Sequence, residues 1–178
     1  MDTLSSQNWS PVAVEEVDWA FLYAEADRAS LSRKSPILAT PNFTDLEECV
    51  HRRELLFKIR APLLNKIPQS TQWYRVKFLT ETHLDELLVI GRCGWDSHTD
   101  SNELALVAKR TPQKLIANPD SWYPLILWGH SQSGPFTILE GNHRLIAYAC
   151  QKASTHLSSA IFIGISEQPC VFHLPDTF

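Results

Sequence analysis

The stretch FTILEGNHRLIAYA, residues 136–149, changes its pattern at a single glycine. Phe136 to Leu139 form an apolar run of the kind typical of a buried strand. Beyond Gly141, apolar residues return at helical spacing as far as Ala149. The stretch therefore predicts a strand that passes through one tight turn directly into a helix.

Such a turn presents free backbone N–H groups and the positive end of the helix dipole at one point. Gly141 allows the backbone to approach a ligand closely, and Asn142 follows it. His143 can donate to a phosphate oxygen or relay a proton. Arg144 offers a planar fork for phosphate or carboxylate, and we expect its guanidinium to point into a pocket rather than into the core. These four residues predict an anion-binding site.

Glu140 ends the strand and is a candidate general base or a ligand of a divalent cation. His143 is the second candidate catalytic residue. The residue types alone also allow a purely structural role, in which Asn142 caps the helix, Glu140 pairs with Arg144 and His143 satisfies a buried neighbour. The sequence alone leaves both the anion-binding role and the structural role of these residues open.

The surrounding pattern predicts a small mixed sheet flanked by helices, an α+β fold. A polar turn, GHSQSG, separates two apolar runs and predicts a hairpin, with Gly129 and Gly134 giving the turn its backbone freedom. Besides Phe136–Glu140, strands are predicted at Trp73–Leu79, Pro124–Trp128 and within residues 158–166. Helices are predicted at His83–Ile90, Asn102–Arg110 and Asn142–Lys152.

The first seventy residues differ from the rest of the chain in the spacing of their apolar residues. Amphipathic spacing predicts helices at Val17–Ala29 and Thr44–Arg60, and we expect the basic residues of the second helix to face solvent. Thr44 begins a capping-box spacing for that helix. We therefore expect an N-terminal helical extension, residues 1–70, packed against a mixed domain, residues 71–178.

Prolines mark the expected exit from the second helix. Pro62 and Pro68 follow Arg60, and a proline inside a helix removes a hydrogen bond and clashes with the preceding turn. The pattern predicts that the chain leaves the helix near Arg60 and continues irregularly towards Trp73.

Composition limits the classes of function. The 178 residues are 44% hydrophobic and 20% charged, as in an ordinary globular domain, and the formal net charge of −4 argues against DNA as a partner. No apolar run approaches the roughly 18 residues of a membrane span, and no basic segment with an apolar core follows Met1. The four cysteines are scattered without a C-x-x-C motif. We expect a cytoplasmic protein with no membrane partner.

The segment GWDSHTDSNE, residues 94–103, concentrates acidic side chains. Asp96 and Asp100 are candidate ligands of Mg²⁺ together with Glu140, because hard cations prefer carboxylate oxygens. The alternative is a solvated loop in which Asp100 or Ser101 caps the following helix.

From Trp73 to about Ser166 the chain resembles the ParB/sulfiredoxin-like fold. The stretches NELALVAKR, PLILW, FTILE, GNHR and AIFIGI follow in the order and spacing of that family. The resemblance implies that Gly141, His143 and Arg144 hold nucleotide phosphates and that Glu140 is the acidic residue of the kinase-like variants. It also implies ATP or another nucleotide with Mg²⁺ as cofactors, an ATP-dependent phosphotransferase or nucleotide hydrolase activity, and an unidentified small-molecule or protein acceptor.

The chain departs from each characterised branch that it resembles. Asn142 stands where sulfiredoxins carry their reactive cysteine, and the chain reaches Phe178 without the helix-turn-helix that follows in partition proteins. The Fic nucleotidyl-transfer motif is similar to Glu140–Arg144, but its leading histidine would fall at Phe136. The alternative to an enzyme is a non-catalytic nucleotide- or anion-binding module whose N-terminal helices contact a protein partner.

Overall fold

The structure, a computed structural model, describes residues 8–77, 124–134, 136–145 and 160–168, and the backbone of residues 87–89. Residues 142–145 are helical. The other helices are α1 (Val14–Ala24), α2 (Pro36–Ala39) and α3 (Leu46–Leu64). The strands are β1 (Ser10–Val12), β2 (Gln72–Val76), β3 (Leu87–Val89), β4 (Leu125–Gly129), β5 (Phe136–Glu140) and β6 (Ile161–Ile165).

The described strands form one six-stranded sheet in the order β1-β2-β6-β4-β5-β3. β4 runs parallel to β6 and β3 runs parallel to β5, whereas the other neighbours are antiparallel. This mixed sheet with helices confirms the predicted α+β class. The β4–β5 hairpin is confirmed as well, and its turn contains Gly134 at a φ of 72°, while Gly129 is the last residue of β4.

Alternate side chains of β4 enter two different cores, as the pleat of a strand requires. Leu125 and Leu127 belong to one cluster, and Ile126 and Trp128 belong to the other. The second cluster also contains residues of α1 and α3, so the N-terminal helices cover one face of the sheet. The expectation that these helices pack against the mixed sheet is met.

The N-terminal segment also contributes to the sheet itself. β1 pairs antiparallel with β2, with Pro11 opposite Tyr74. The sequence pattern predicts helices alone in this segment, because three residues are too few to show an alternating pattern. Residues 8–64 therefore supply an edge strand as well as a helical layer.

The boundaries of the N-terminal helices differ from the prediction. α1 begins at Val14 and ends at Ala24, several residues earlier at both ends than predicted. The N-cap of α3 is Asp45, whose side chain accepts from the backbone N–H of Glu48 at 3.1 Å, and the Thr44 capping box was wrong. Asp45 fits the cap because it places the side-chain oxygen at the first free amides.

α3 also continues through Pro62 to Leu64, so the predicted exit near Arg60 was wrong. Pro62 costs one hydrogen bond close to the end of the helix. The backbone N–H of Asn65 still bonds to the Ala61 carbonyl at 2.9 Å, and Leu63 is buried in the core. Burial of this last turn in the core stabilises the helix by more than the hydrogen bond lost at Pro62 costs.

The helix predicted at His83–Ile90 is contradicted at the three residues described there. Leu87–Val89 form β3, which pairs in parallel with β5, and Leu88 lies opposite Thr137. Pairing to a neighbouring strand decides the structure of a short apolar run that periodicity cannot assign. The predicted helix at Asn102–Arg110 lies outside the described residues.

Candidate functional site

The predicted strand-to-helix turn is present. β5 ends at Glu140, and the amides of Arg144 and Leu145 bond to the Gly141 carbonyl at 3.1 and 3.0 Å. Gly141 has a φ of 105°, and a Cβ built on it would lie 2.1 Å from Leu125 Cδ2. Both the backbone conformation and the packing beneath it therefore require glycine. The space that Gly141 leaves open is filled by Leu125 of the core.

Arg144 lies beneath the turn. Its side chain is buried, with 4% of the residue exposed, and Nη2 donates to the Pro124 carbonyl at 3.2 Å. The expectation that this guanidinium points into an open pocket was wrong. Pro124 immediately precedes β4, the strand beside β5, so its carbonyl is within reach of a side chain from the turn. A role of Arg144 in holding an anion stays a prediction. Because its guanidinium is buried, Arg144 would act on an anion through its positive charge and not by direct contact.

Asn142 and His143 occupy the first turn of the helix. The Oδ1 atom of Asn142 is buried and has no hydrogen-bond partner, so the alternative in which this side chain caps the helix is not supported. His143 is exposed. Partial burial lowers the pKa of His143, and the positive charge of Arg28 lowers it further. The charge of Arg28 therefore acts on His143, and both side chains are exposed.

Glu140 pairs with a residue that the sequence analysis did not connect to it. Arg60 of α3 donates from Nη2 to Glu140 Oε2 at 3.2 Å. The same nitrogen donates to Oε1 of Glu25, the residue that follows α1. Arg28 lies on the other side of Glu25, with its Nε 3.3 Å from Oε2. Two carboxyl groups thus meet at one guanidinium, between the N-terminal helices and the end of β5.

Burial governs the electrostatics of this cluster. It raises the pKa of Glu140 to about 7, and the nearby negative charge of Glu25 acts in the same direction. Arg60 and Arg144 oppose the rise, while a hydrogen bond that protonated Glu140 donates to Glu25 adds to it. A carboxyl group that titrates near neutral pH can both accept and return a proton, which is the property that general acid–base catalysis needs.

Glu25, Arg28 and Arg60 were missed because no local pattern identifies them. Arg60 is 35 residues from Glu25 and 80 residues from Glu140 along the chain. Arg60 and Arg52 had been expected on a solvent-facing basic surface. Instead the Arg52 side chain is fully buried and that of Arg60 is largely buried, each beside a carboxylate. Arg52 pairs with Glu48 of the same helix, whereas Arg60 gains a buried partner from another element, which helical spacing alone does not show.

The predicted magnesium site has no support in the described residues. Asp96 and Asp100 lie outside them, and in the described ranges no three His, Cys, Asp or Glu side chains cluster as a metal site would require. The carboxyl of Glu140 is engaged by an arginine and by a second carboxyl. The guanidinium in direct contact with this carboxyl opposes the binding of a cation there.

A separate cavity of about 640 Å³ lies between α1, α3 and the segment that leads into β2. Asp18 and Arg53 form an ion pair of 2.7 Å in its wall. Leu46 and Val50, one helical turn apart on α3, are 78% and 57% exposed at the same cavity. This groove is distinct from the strand-to-helix turn.

Comparison of the chain with protein-family models, curated proteins and solved structures gave no match. None of the helices in the described ranges is long and apolar enough to cross a lipid bilayer.

Proposed function

We propose that the strand-to-helix turn binds the phosphates of a nucleotide such as ATP, and that Glu140 accepts the proton of the attacking hydroxyl or water. The observation that carries this proposal is the position of Glu140. It is the residue immediately before the turn, and its pKa is raised to about 7 in a buried carboxyl pair. A base of this kind belongs beside a group that undergoes proton transfer at neutral pH.

The charges around the turn favour an anion. Three arginines, Arg28, Arg60 and Arg144, surround the two carboxyls of Glu25 and Glu140. The cluster therefore has an excess of positive charge even when both carboxyls are ionised. Arg28 is 57% exposed, so it can reach a ligand on the solvent side. A phosphate there would also gain from the amides at the start of the helix.

Each residue would have a distinct task in the reaction. Arg28 and His143 contact the phosphates, and Arg144 adds a buried positive charge below them. Glu140 accepts the proton, while Arg60 holds its carboxyl in place. The bound nucleotide supplies the phosphoryl group, and positioning and charge neutralisation provide most of the rate enhancement in such transfers.

The test compares binding and turnover in Glu140→Gln. Affinity for ATP and CTP is measured by calorimetry, and ADP, CDP or phosphate release is measured with Mg²⁺ and a panel of hydroxyl-bearing acceptors. The variant is expected to keep affinity within about tenfold, roughly 1.4 kcal/mol. Turnover is expected to fall by about 100-fold or more. Glu16→Gln, which alters a carboxylate paired with Arg75 away from the turn, is the matched control.

Failure to bind any nucleotide would overturn the proposal. Binding without turnover would instead favour a second candidate, a non-catalytic nucleotide- or anion-binding module that acts through a protein partner. The exposed Leu46 and Val50 beside the α1–α3 cavity favour this candidate, because adjacent exposed apolar side chains are typical of contact surfaces. Equal turnover in Glu140→Gln and the unmodified protein would remove Glu140 from the mechanism.

A further inference from the structure

Two carboxyl groups share one nitrogen atom of Arg60. Nη2 donates to Glu25 Oε1 and to Glu140 Oε2, so the two carboxyls meet at one nitrogen atom. An ionised carboxylate can only accept hydrogen bonds. Two buried carboxyls at one nitrogen can therefore bond to each other only when one of them carries a proton, and the negative charge of Glu25 accordingly adds to the raised pKa of Glu140.

The arginines indicate which carboxyl carries it. Glu25 has two guanidinium partners, Arg28 and Arg60, whereas Glu140 has Arg60 at 3.2 Å and Arg144 acting through its charge. Negative charge is stabilised better where two cations are in contact. The proton accordingly lies on Glu140 below its pKa of about 7.

The pair connects separate parts of the fold. Glu25 directly follows α1, Arg60 belongs to α3, and Glu140 is the last residue of β5. Both carboxyls are removed from water, with 6% of the Glu25 side chain and 19% of the Glu140 side chain exposed. Removing the shared proton would leave two buried negative charges beside each other, which is costly because burial penalises each charge and the two repel.

We propose that Glu25 and Glu140 form a one-proton carboxyl pair, clamped by Arg60, that fastens the N-terminal helices to the end of β5 and weakens when the proton is lost. The described charged groups that act on Glu140 are Glu25 after α1, Arg60 on α3 and Arg144 after the turn, and Arg28 contacts Glu25 in turn. The pair does not depend on nucleotide binding, so its test stands apart from that of the proposed function.

The sign of the pH dependence follows from the direction of the pKa shift. Glu140 has an ordinary pKa of 4.5 when the chain is unfolded, and burial raises it to about 7 in the folded protein. The folded state binds more protons between these two values. The contribution of the pair to stability is therefore complete below 4.5 and is lost as the pH rises through about 7.

Glutamine resembles a protonated glutamate in shape and can donate one hydrogen bond. Glu140→Gln should therefore preserve the link to Glu25 and Arg60 without the dependence on a proton. The experiment measures denaturant unfolding of the unmodified chain, Glu140→Gln and the control Glu16→Gln at a series of pH values. Amide hydrogen exchange of α3 at each pH reports whether the helix stays docked.

From pH 5 to pH 8, the ratio of the folding constant of Glu140→Gln to that of the unmodified chain is expected to rise at least about tenfold. Each unit of difference between the folded and unfolded pKa corresponds to a factor of ten in this ratio. Protection of the α3 amides from hydrogen exchange should decrease as the pH rises in the unmodified chain and in Glu16→Gln, but not in Glu140→Gln. If Glu140→Gln does not fold, Glu25→Gln should reduce the pH slope, because it removes the negative charge that adds to the effect of burial on the pKa of Glu140. Parallel pH profiles for the unmodified chain and the variant that folds would overturn the proposal.

Discussion

Arg60 and Glu140 form an ion pair of 3.2 Å between the N-terminal helices and the strand that leads into the turn, although 80 residues separate them in the chain. The candidate base of the site is therefore positioned by a residue of the N-terminal layer. Stability of the fold and chemistry at the turn depend on the same guanidinium.

Arg60→Met tests this dependence. Without the guanidinium, Glu25 and Glu140 would share a buried environment with no cation in direct contact with both. Removing one partner of a buried charged cluster costs about 3–5 kcal/mol, and we expect a loss of that order in chemical denaturation at neutral pH. Lys58→Met, at an exposed position of the same helix, should change stability by less than about 0.5 kcal/mol. A loss of stability in Arg60→Met no larger than that of the control would contradict the account.

Gly141→Ala is expected to be strongly destabilising. The φ of 105° is unfavourable for a residue with a side chain, and the new Cβ would lie 2.1 Å from Leu125 Cδ2. Backbone strain contributes about 1–3 kcal/mol, and overpacking contributes roughly another 1–3 kcal/mol. Unfolding measurements on Gly134→Ala provide the comparison. Gly134 also has a positive φ, 72°, but a Cβ added there would lie 3.0 Å from the Phe136 ring. Equal losses in the two variants would show that packing against Leu125 does not matter.

Arg144→Ala should destabilise the fold as well as reduce anion affinity. The side chain is buried, and its removal leaves the Pro124 carbonyl without this donor and opens space in the core. A buried polar group that loses its partner costs about 1–3 kcal/mol. Thermal unfolding compares this variant with Arg28→Ala, whose exposed side chain should affect stability much less. An Arg144→Ala protein as stable as the unmodified chain would show that the buried guanidinium is dispensable.

His143 provides a pH-dependent signal of the anion site. Its pKa is lowered by burial and by Arg28, so the ring is mainly neutral at pH 7. Arg28→Ala should raise the pKa of His143, and bound phosphate should raise it too, since a negative charge favours the imidazolium. Anion binding is accordingly expected to strengthen as the pH falls through the range in which His143 gains its proton. A titration of the ring by nuclear magnetic resonance, with and without inorganic phosphate, measures both shifts, and an unchanged pKa with phosphate would exclude His143 as a contact.

The sequence predicted the part of the fold that rests on local pattern. β4, β5, β6 and the turn at Gly141 are confirmed, because continuous apolar runs and a glycine between strand and helix are visible within a few residues. β1 and β3 were not predicted, since each is three residues long and gains its stability from a neighbouring strand.

The candidate site was likewise predicted only where a local pattern in the sequence reveals it. Glu140 was identified as a candidate from its place before Gly141, but its partners Glu25 and Arg60 come from distant segments with no recognisable motif. Arg144 had been expected in an open pocket because guanidinium groups often bind phosphate. Its burial under the turn depends on how β4 lies beside β5, which the pattern around the glycine does not reveal.

The most direct test of the central claim is a titration of the ¹⁵N-labelled protein with ATP and Mg²⁺, followed by two-dimensional nuclear magnetic resonance. The account predicts that the largest shifts occur at the backbone amides of Gly141, Asn142 and His143 and at Nε of Arg28, with weaker binding in Arg28→Ala. Glu16→Gln should bind like the unmodified chain, because Glu16 pairs with Arg75 away from the turn. Saturable shifts confined to another surface, or no shifts at millimolar ATP, would contradict a phosphate site at this turn.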